Sequence, residues 1–423
     1  MSVKSNYLKE KQNQSIDWVK KLVFLTLFVA VFFNLINRVA SPMLYLFIGV
    51  CVLYLLMRRN IRIGSIVFCF FAFCLYSMLA CFWTPATDAL EAVVRTVIKY
   101  AAFSICLYNV IETKDDCDRV LGIICMAGLG FCLFSIWHYG LPVMFSSIQT
   151  GERLGQEICG INSFGMYASL TFALCLYLAR IRGKWLYYVL MLLPLLLVVA
   201  SSSRKALLLG FCAILYFFAA QKLQKSFAKG ILIVAVIVGG VLLVLQLPAF
   251  EQIWMRLQIF FETTVQGSTS SDESTEIRFR LIDVGLQFFK SHPLFGYGTN
   301  SFRYIAGTYF SMSEISAHNN YVDILVNFGL IGFAFYYFPS VFMLWKSFKG
   351  VLREIPVFYF GLFFVLVSFV LLDMSYVSYH FIIPYVFFTL FARVVEVYDA
   401  ELKEKIVRQD DEERVIEQSK YLK

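Results

Sequence analysis

Long apolar runs separated by short polar segments are the main pattern in the sequence. Each run is long enough, and apolar on enough of its surface, to cross a bilayer as a helix. The runs lie at 18–37, 42–57, 63–83, 90–111, 120–137, 161–179, 185–200, 206–220, 231–247, 321–345, 356–372 and 377–397. The pattern therefore predicts an all-α polytopic membrane protein with about 12 transmembrane helices.

The spacing of the runs divides the chain into four regions. They are transmembrane helices 1–9 in residues 1–247, a large loop in residues 248–320, transmembrane helices 10–12 in residues 321–397, and a charged tail in residues 398–423. Acidic and basic residues are mixed along the tail, which is typical of a solvated helix. The large loop is therefore the main candidate for structure outside the membrane.

An amphipathic segment lies in the second half of this loop. Ile282, Leu286 and Phe289 recur at helical spacing and predict one apolar stripe. The helix is expected to stop before Pro293, because proline lacks a backbone donor, and the glycine-rich segment 296–298 predicts a turn. The loop is thus expected to contain amphipathic helices rather than to be a plain linker.

The composition agrees with a membrane protein. Of the 423 residues, 59% are hydrophobic and only 16% are charged, and the mean hydropathy is +0.70. A chain this apolar cannot bury its surface in a soluble core. The 11 cysteines lie mostly inside apolar runs, without the paired spacing of a disulfide framework or a zinc site.

The basic residues are distributed unevenly among the loops. Of the 37 Lys and Arg residues, 26 fall in the terminal segments and in the loops on the same side of the predicted membrane. The positive-inside rule then predicts that both termini are cytoplasmic and that the 248–320 loop is external. The net charge of +8 follows mostly from this topology, so no nucleic-acid partner is needed to explain it.

Eleven basic residues do not follow the rule and are the candidates for function. Glu91, Arg95 and Lys99 are spaced so that they share one face of a helix, with Lys99 deepest in the membrane. A Glu91–Arg95 ion pair with a purely structural role is the alternative.

Other candidates lie in polar segments. They are Arg153 in a short external loop, Arg204 in the turn between two spans, and Arg278 and Arg280 in the amphipathic segment. Arg278 and Arg280 point to nearly opposite sides of a helix, so only one of them is expected to face the membrane cavity. Arg204 has a structural alternative, an interfacial arginine that reaches the lipid headgroups.

His318 and Asn319 stand immediately before an apolar helix. The free N–H groups at such a helix start favour an anion nearby. A histidine there can act as a general base, whereas a His-Asn pair can also serve only as a helix cap. No metal-ligand cluster is visible on the predicted outer side, so neither a metal nor a cofactor is expected.

The order of motifs in the second half of the chain resembles the O-antigen polymerase and ligase family, whose members include the Wzy polymerases and the WaaL ligases. The resemblance covers roughly residues 201–333. It rests on the Ser-Arg turn at 201–205, on Arg278, on the segment 292–298, on His318-Asn319 and on the segment 327–332. One departure concerns Asn327, because the family often carries a glutamate at that position, so an acid role there cannot be transferred.

The resemblance implies a metal-independent membrane glycosyltransferase of the GT-C type that acts at the outer face of the bacterial cytoplasmic membrane. Its substrates would be oligosaccharides linked to undecaprenyl pyrophosphate, as donor and as acceptor. It further implies His318 and Asn319 as catalytic residues. The pyrophosphate would be bound by cationic side chains, for which the candidates are Arg204, Arg278, Lys99, Arg95, Arg153 and Arg280.

We therefore expect a polymerase that joins the repeat units of a bacterial surface polysaccharide, such as O-antigen or capsule. A ligase that transfers the finished glycan to lipid A core or to protein is the first alternative. A transporter or flippase of lipid-linked sugars is the second, although the chain lacks the internal repeat that this class predicts. Membrane lipids are expected partners, together with flippase and chain-length regulator proteins.

Overall fold

A computed structural model of the chain describes residues 2–37, 39–203, 205–214, 273–310, 315–352, 367–374, 376–397 and 399–400, together with positions 232, 236, 239, 240 and 254. Throughout these residues the regular structure is helical. The predicted all-α class is therefore confirmed for the described part. The end of the predicted span at 206–220, most of the spans at 231–247 and 356–372, most of residues 248–272 and the tail from 401 lie outside it.

The N-terminal half consists of helices joined by short turns. Helices α1 to α11 are Ser2–Leu35, Ala40–Arg58, Ser65–Leu79, Ala89–Val93, Lys99–Val110, Lys114–Tyr139, Leu141–Thr150, Ile161–Arg182, Leu186–Leu190, Leu192–Ala200 and Lys205–Ile214. A π-helical turn, Val94–Ile98, joins α4 to α5. The C-terminal half contains α12 (Glu273–Ser291), α13 (Ser301–Phe310), α14 (Asn320–Leu352), α15 (367–373) and α16 (382–397).

Five helical segments within the described ranges are long and apolar enough to cross a membrane. They are Ala40–Arg58, Ser65–Phe82, Lys114–Tyr139, Ile161–Arg180 and Asn320–Lys346. Their positions agree with predicted runs, and together they indicate a protein that passes through the membrane several times. The predicted total of about 12 transmembrane helices and the orientation of the termini remain predictions.

Aromatic side chains form the contact between α3 and α14. The ring of Phe73 lies 5.2 Å from that of Phe328 and 5.3 Å from that of Tyr336, and all three side chains are buried. Tyr379, just before α16, packs 6.3 Å from Phe73. Because such rings bury large areas and hold fixed geometries, they fix α14 firmly against the helices around it.

The amphipathic helix α12 packs on α14, but its apolar stripe differs from the predicted one. Leu281 is fully buried and Val284 nearly so, whereas Leu286, which was expected on the stripe, is 40% exposed. The expected end of the helix is confirmed, since α12 stops at Ser291, before Pro293. Ile282 and Phe289, the other two residues of the predicted stripe, are partly buried against the same cluster as Leu281, so the prediction is confirmed at two of its three positions.

A break in α14 receives the glycine-rich segment 293–298. At Gly329 the backbone leaves the helical conformation, with φ of 61° and ψ of −164°. The N–H of Tyr297 donates to the carbonyl of Val326 (2.8 Å), and the N–H of Leu330 donates to the carbonyl of Pro293 (2.9 Å). The segment thus supplies partners to backbone groups that the break leaves without helical ones.

Glycine is required at the centre of this contact. A Cβ atom at Gly329 would overlap the carbonyl oxygen of Leu294, and its positive φ is unfavourable for other residues. The other side of segment 293–298 is fixed to α3, where the hydroxyl of Tyr76 donates to the carbonyl of Phe295 at 3.0 Å. This part of the loop is therefore fixed to two membrane helices.

Candidate functional site

A cavity of about 710 Å³ lies between α4, the start of α8, the segment before α14 and the turn before α16. Its volume is within the range of small-molecule sites. The side chains that line it are mostly polar. They include Asp88, Glu91, Arg95, Thr96, Asn162, Asn300, Arg303, Ser316, His318, Tyr376 and His380.

His318 lies at the edge of this cavity in a left-handed backbone conformation. Its φ is 50°, in a region that is uncommon for residues other than glycine but enriched in asparagine, aspartate and histidine. Burial lowers the pKa of the imidazole, and the positive charges of Arg278 and Lys205 lower it further. His318 is therefore held in its neutral form, in which one ring nitrogen can accept a proton.

Asn319, and not His318, caps helix α14. The side-chain oxygen of Asn319 accepts the N–H of Val322 at 3.1 Å, and its carbonyl accepts the N–H of Asp323 at 3.0 Å. Its amide group also donates to the carbonyl of Met374 at 3.2 Å. Of the two roles open to the His-Asn pair, the capping role is thus filled by the second residue.

Three cationic side chains surround the same region. The pKa of Lys205, the first residue of α11, is lowered to about 7 by burial and by the charges of Arg278 and Arg153. The ammonium group of Lys205 lies 5.7 Å from the ring centre of Tyr376, which lines the cavity. A cluster in which two arginines lower the pKa of a lysine favours a bound anion.

Arg153 reaches the cavity through a neighbouring side chain. Its guanidinium donates to the side-chain oxygen of Asn162 at 2.9 Å, and Asn162 lines the cavity. Arg153, Lys205 and Arg278 come from three separate segments of the chain, so their proximity could not be inferred from spacing alone. Arg204 lies outside the described residues.

The π-helical turn separates Lys99 from the two residues with which it was expected to share a face. Glu91 and Arg95 line the cavity and form an ion pair, so the structural alternative for Arg95 describes its contact. The wider π turn changes the angular position of every residue after it. Lys99 is consequently buried and donates to the hydroxyl of Ser41 in α2 at 3.0 Å.

Arg280 and Arg278 occupy different faces of α12, as their spacing predicted. Arg280 is exposed and pairs with Glu276 one turn earlier, at 2.6 Å. Arg278 is partly buried and lies close enough to His318 and Lys205 to lower the pKa of both. Of these two arginines, Arg278 is therefore the one close to His318, which lines the cavity.

Several cavity residues were not singled out from the sequence. Arg303 and His380 both line the cavity, and Asp88 and Asn300 form a contact across it, in which the Asn300 amide lies 2.9 and 3.0 Å from the two carboxylate oxygens. Arg303 is one of the 11 basic residues outside the positive-inside pattern, so the sequence contained an indication of its functional position. Nothing in the sequence distinguishes His380, because its setting depends on a turn between helices.

A buried polar cluster supports the residues before and after α14. Asn320 donates to the hydroxyl of Tyr337 (2.7 Å) and to the carboxyl of Asp373 (3.1 Å), and it accepts the N–H of Ser378 (2.8 Å). These contacts connect the start of α14 to the segment that carries Tyr376 and His380. They hold the two histidine-bearing segments of the cavity together.

Asn327 has a structural role at the position where the resembled family often has glutamate. Its amide donates to Asp323 at 2.7 Å and to the hydroxyl of Tyr379 at 3.1 Å, while its oxygen accepts the N–H of Phe302 at 2.7 Å. Only an amide can both donate and accept in this way. Asn327 therefore fixes the start of α13, the helix that carries Arg303.

Within the described residues, no group of three or more His, Cys, Asp or Glu side chains is arranged to hold a metal ion. The cavity is lined by arginines, two imidazoles and a few carboxylates. Such a set can bind an anion and accept a proton.

Residues 167–337 match the Wzy_C family model, which is described as O-antigen ligase. The resemblance predicted from the motifs is thus confirmed over this region, and the match to a family that acts on lipid-linked oligosaccharides supports a role in surface-polysaccharide biosynthesis. It includes Lys205, Arg278 and His318 but ends before Tyr376 and His380. Among curated proteins, none matches the chain.

Proposed function

We propose that this protein is a polymerase of surface-polysaccharide repeat units. It moves a growing glycan from its lipid pyrophosphate onto a sugar hydroxyl of a second lipid-linked unit. The observation that carries the proposal is the placement of His318 next to Arg278 and Lys205 at the edge of a cavity of about 710 Å³. Cations near the leaving group and a neutral base near the acceptor are the two groups that this reaction needs.

In the reaction, the acceptor hydroxyl attacks the anomeric carbon of the donor sugar. The new carbon–oxygen bond forms as the bond to the pyrophosphate breaks, and the bonding electrons leave with the pyrophosphate. The hydroxyl proton passes to the neutral imidazole of His318. Because a sugar hydroxyl has a pKa far above neutrality, a base within hydrogen-bond reach lowers the barrier.

The same cations act on both the imidazole of His318 and the leaving pyrophosphate. Arg278 and Lys205 lower the pKa of His318 and keep it neutral, and they also offset the negative charge that grows on the pyrophosphate. We assign the pyrophosphate to Arg278, supported by Arg153 and by Arg204 from the adjacent turn. Guanidinium groups suit this task because their paired donors match phosphate oxygens.

The remaining predicted cations are weaker candidates for binding the pyrophosphate. Arg95 stays a candidate because it lines the cavity, although it pairs with Glu91. Lys99 and Arg280 are engaged by Ser41 and Glu276. In this proposal side-chain cations supply the positive charge that other transferases obtain from a metal, which corresponds to a GT-C-type enzyme.

The proposed reaction takes place at the outer face of the cytoplasmic membrane, with both termini on the inner side. The uneven distribution of Lys and Arg residues supports this orientation. The undecaprenyl chain of each substrate would lie in the membrane beside the apolar helices. Flippase and chain-length regulator proteins remain proposed partners.

Ligation is the second candidate function, because the matching family model is described as O-antigen ligase. A ligase would use the same donor and the same cations but would transfer the glycan to lipid A core or to protein. The difference is confined to the acceptor.

The glycan profile of cells that lack this protein tests the proposal. Loss of a polymerase is expected to replace the ladder of long chains on the acceptor by single repeat units. Loss of a ligase is expected to leave long chains attached to the lipid carrier instead. A normal ladder in the deletion strain would contradict both functions, and complementation with the wild-type chain is the control.

A further inference from the structure

A groove lined by aromatic side chains lies next to the proposed site. Its volume is about 600 Å³, and Trp83, Phe288, Tyr297, Tyr304 and Tyr309 line it together with Thr84. Trp83 is 42% exposed, Tyr304 48% and Tyr309 62%, so their rings are open to a ligand. Neither the cation cluster nor His318 uses this groove.

The rings of the groove are held in place by their surroundings. Trp83 packs 6.2 Å from the ring of Tyr76, which is itself hydrogen-bonded to segment 293–298. On the opposite side Phe288 contacts Tyr297 (5.9 Å) and Tyr309 (6.2 Å), both edge to face. Rings fixed in this way lose little conformational entropy when a ligand binds.

The groove adjoins the cavity along α13. Arg303 lines the cavity and the next residue, Tyr304, lines the groove. Thr84 lines the groove and contacts the segment before α13, with its hydroxyl 2.7 Å from the carbonyl of Thr299 and 2.8 Å from the hydroxyl of Ser301. A ligand that lies along the groove is therefore placed beside the cavity.

The position of the groove at the end of a candidate membrane span also limits which ligands can bind there. Trp83 and Thr84 follow directly after the candidate membrane span Ser65–Phe82. In a lipid-linked glycan the sugars begin at this level, immediately beyond the pyrophosphate. Aromatic faces match the apolar C–H faces of sugar rings, and the hydroxyls of the threonine and tyrosine side chains match the sugar hydroxyls.

We propose that this aromatic groove binds the glycan of the acceptor and directs its terminal sugar into the cavity toward His318. The inference rests on the proposed function and adds to it the place where the acceptor lies. The anionic donor occupies the cation cluster, whereas the uncharged faces of the acceptor sugars stack on Trp83 and Tyr304. The two substrates are thus separated by their chemistry.

Two variants and a matched control test the groove. In Trp83→Ala and Tyr304→Ala, the lipid-free oligosaccharide released by mild acid from the strain's own lipid-linked repeat units should bind about tenfold more weakly. Saturation-transfer NMR with the protein in lipid nanodiscs measures this binding. Phe82→Ala is the control, since Phe82 is 88% exposed at the same level but does not line the groove.

In a transfer assay the same two variants should raise the acceptor KM about tenfold and leave kcat and donor binding unchanged. A rise in the donor KM instead would overturn the assignment to the acceptor. Equal losses in Phe82→Ala would show that these rings serve only as membrane-interface anchors. If Trp83→Ala does not fold, the surface variant Tyr304→Ala decides.

Binding and transfer can fail separately. His318→Ala should bind the oligosaccharide as the wild type does, because His318 lies outside the groove. A wild-type protein that binds the oligosaccharide but transfers nothing would refute the proposed function and leave the groove assignment in place. A wild-type protein that shows no saturation transfer to the oligosaccharide would refute the groove.

Discussion

Replacement of His318 by asparagine distinguishes a chemical role from a structural one. Asparagine tolerates the left-handed backbone that His318 adopts at φ of 50°. Alanine has the same Cβ as histidine, so it adds no new contact with the following carbonyl oxygen, but it lacks the short polar group with which asparagine can hydrogen-bond locally in this conformation. The cap of α14 is unaffected in either variant, since Asn319 supplies it.

The expected magnitudes differ by role. If His318 accepts the proton of the acceptor hydroxyl, His318→Asn should slow the chemical step by about 10²–10⁴-fold and leave the thermal stability close to that of the wild type. Asn319→Ala should instead lower the stability and leave the chemical step close to that of the wild type. It loses a helix cap, worth about 1 kcal/mol, and the hydrogen bond to the Met374 carbonyl, worth about 1 kcal/mol, and so lowers the free energy of unfolding by about 2 kcal/mol.

The assay uses purified protein in nanodiscs with lipid-linked repeat units. Single-turnover rates report the chemical step, donor binding is measured separately, and thermal unfolding reports stability. His318→Asn and His318→Ala should be equally slow. A His318→Asn variant with near-normal turnover would refute the base role and leave catalysis to the cations alone.

Three further outcomes follow from the same contacts. Arg278→Ala should reduce transfer by at least about a hundredfold, whereas Arg280→Ala, which breaks only a surface pair, should stay within about twofold in the same assay; equal effects would remove Arg278 from the site. The neutral form of His318 is the active one and its pKa is lowered, so activity should be lost as pH falls through a value below about 6.5, and Arg278→Gln should move this limb to higher pH in a pH–rate profile; an unmoved limb would contradict the coupling. Gly329→Ala should lower the free energy of unfolding by at least about 2 kcal/mol and so lower the melting temperature, whereas Gly49→Ala, with open space around it in α2, should not. Equal melting temperatures of the two variants would show that the break in α14 tolerates a side chain.

Much of the fold and part of the site could be predicted from the sequence. Hydrophobic runs give the positions of helices because lipid requires about 20 apolar residues per span. The end of α12 before Pro293 and the separation of Arg278 from Arg280 follow from local backbone rules and helical periodicity. The position of His318 at a helix start was visible for the same reason.

Contacts between distant segments could not be predicted in this way. The shared face of Glu91, Arg95 and Lys99 assumed a regular helix, and the π turn that moves Lys99 has no clear sequence signal. His380 enters the cavity because Asn320 binds Asp373 and the backbone of Ser378, contacts that span more than 50 residues. One sequence alone does not reveal such pairs.

The polar cluster on α14 has a consequence for how the chain is made. Asn320 and Asp323 lie on a helix that must enter the membrane, yet their partners Asp373 and Tyr379 are synthesised about 50 residues later. Until those residues emerge, α14 exposes costly polar groups and cannot rest alone in lipid. Biogenesis of this protein is therefore expected to stall at α14, which must remain sheltered by earlier helices or by the insertion machinery until the last helices arrive.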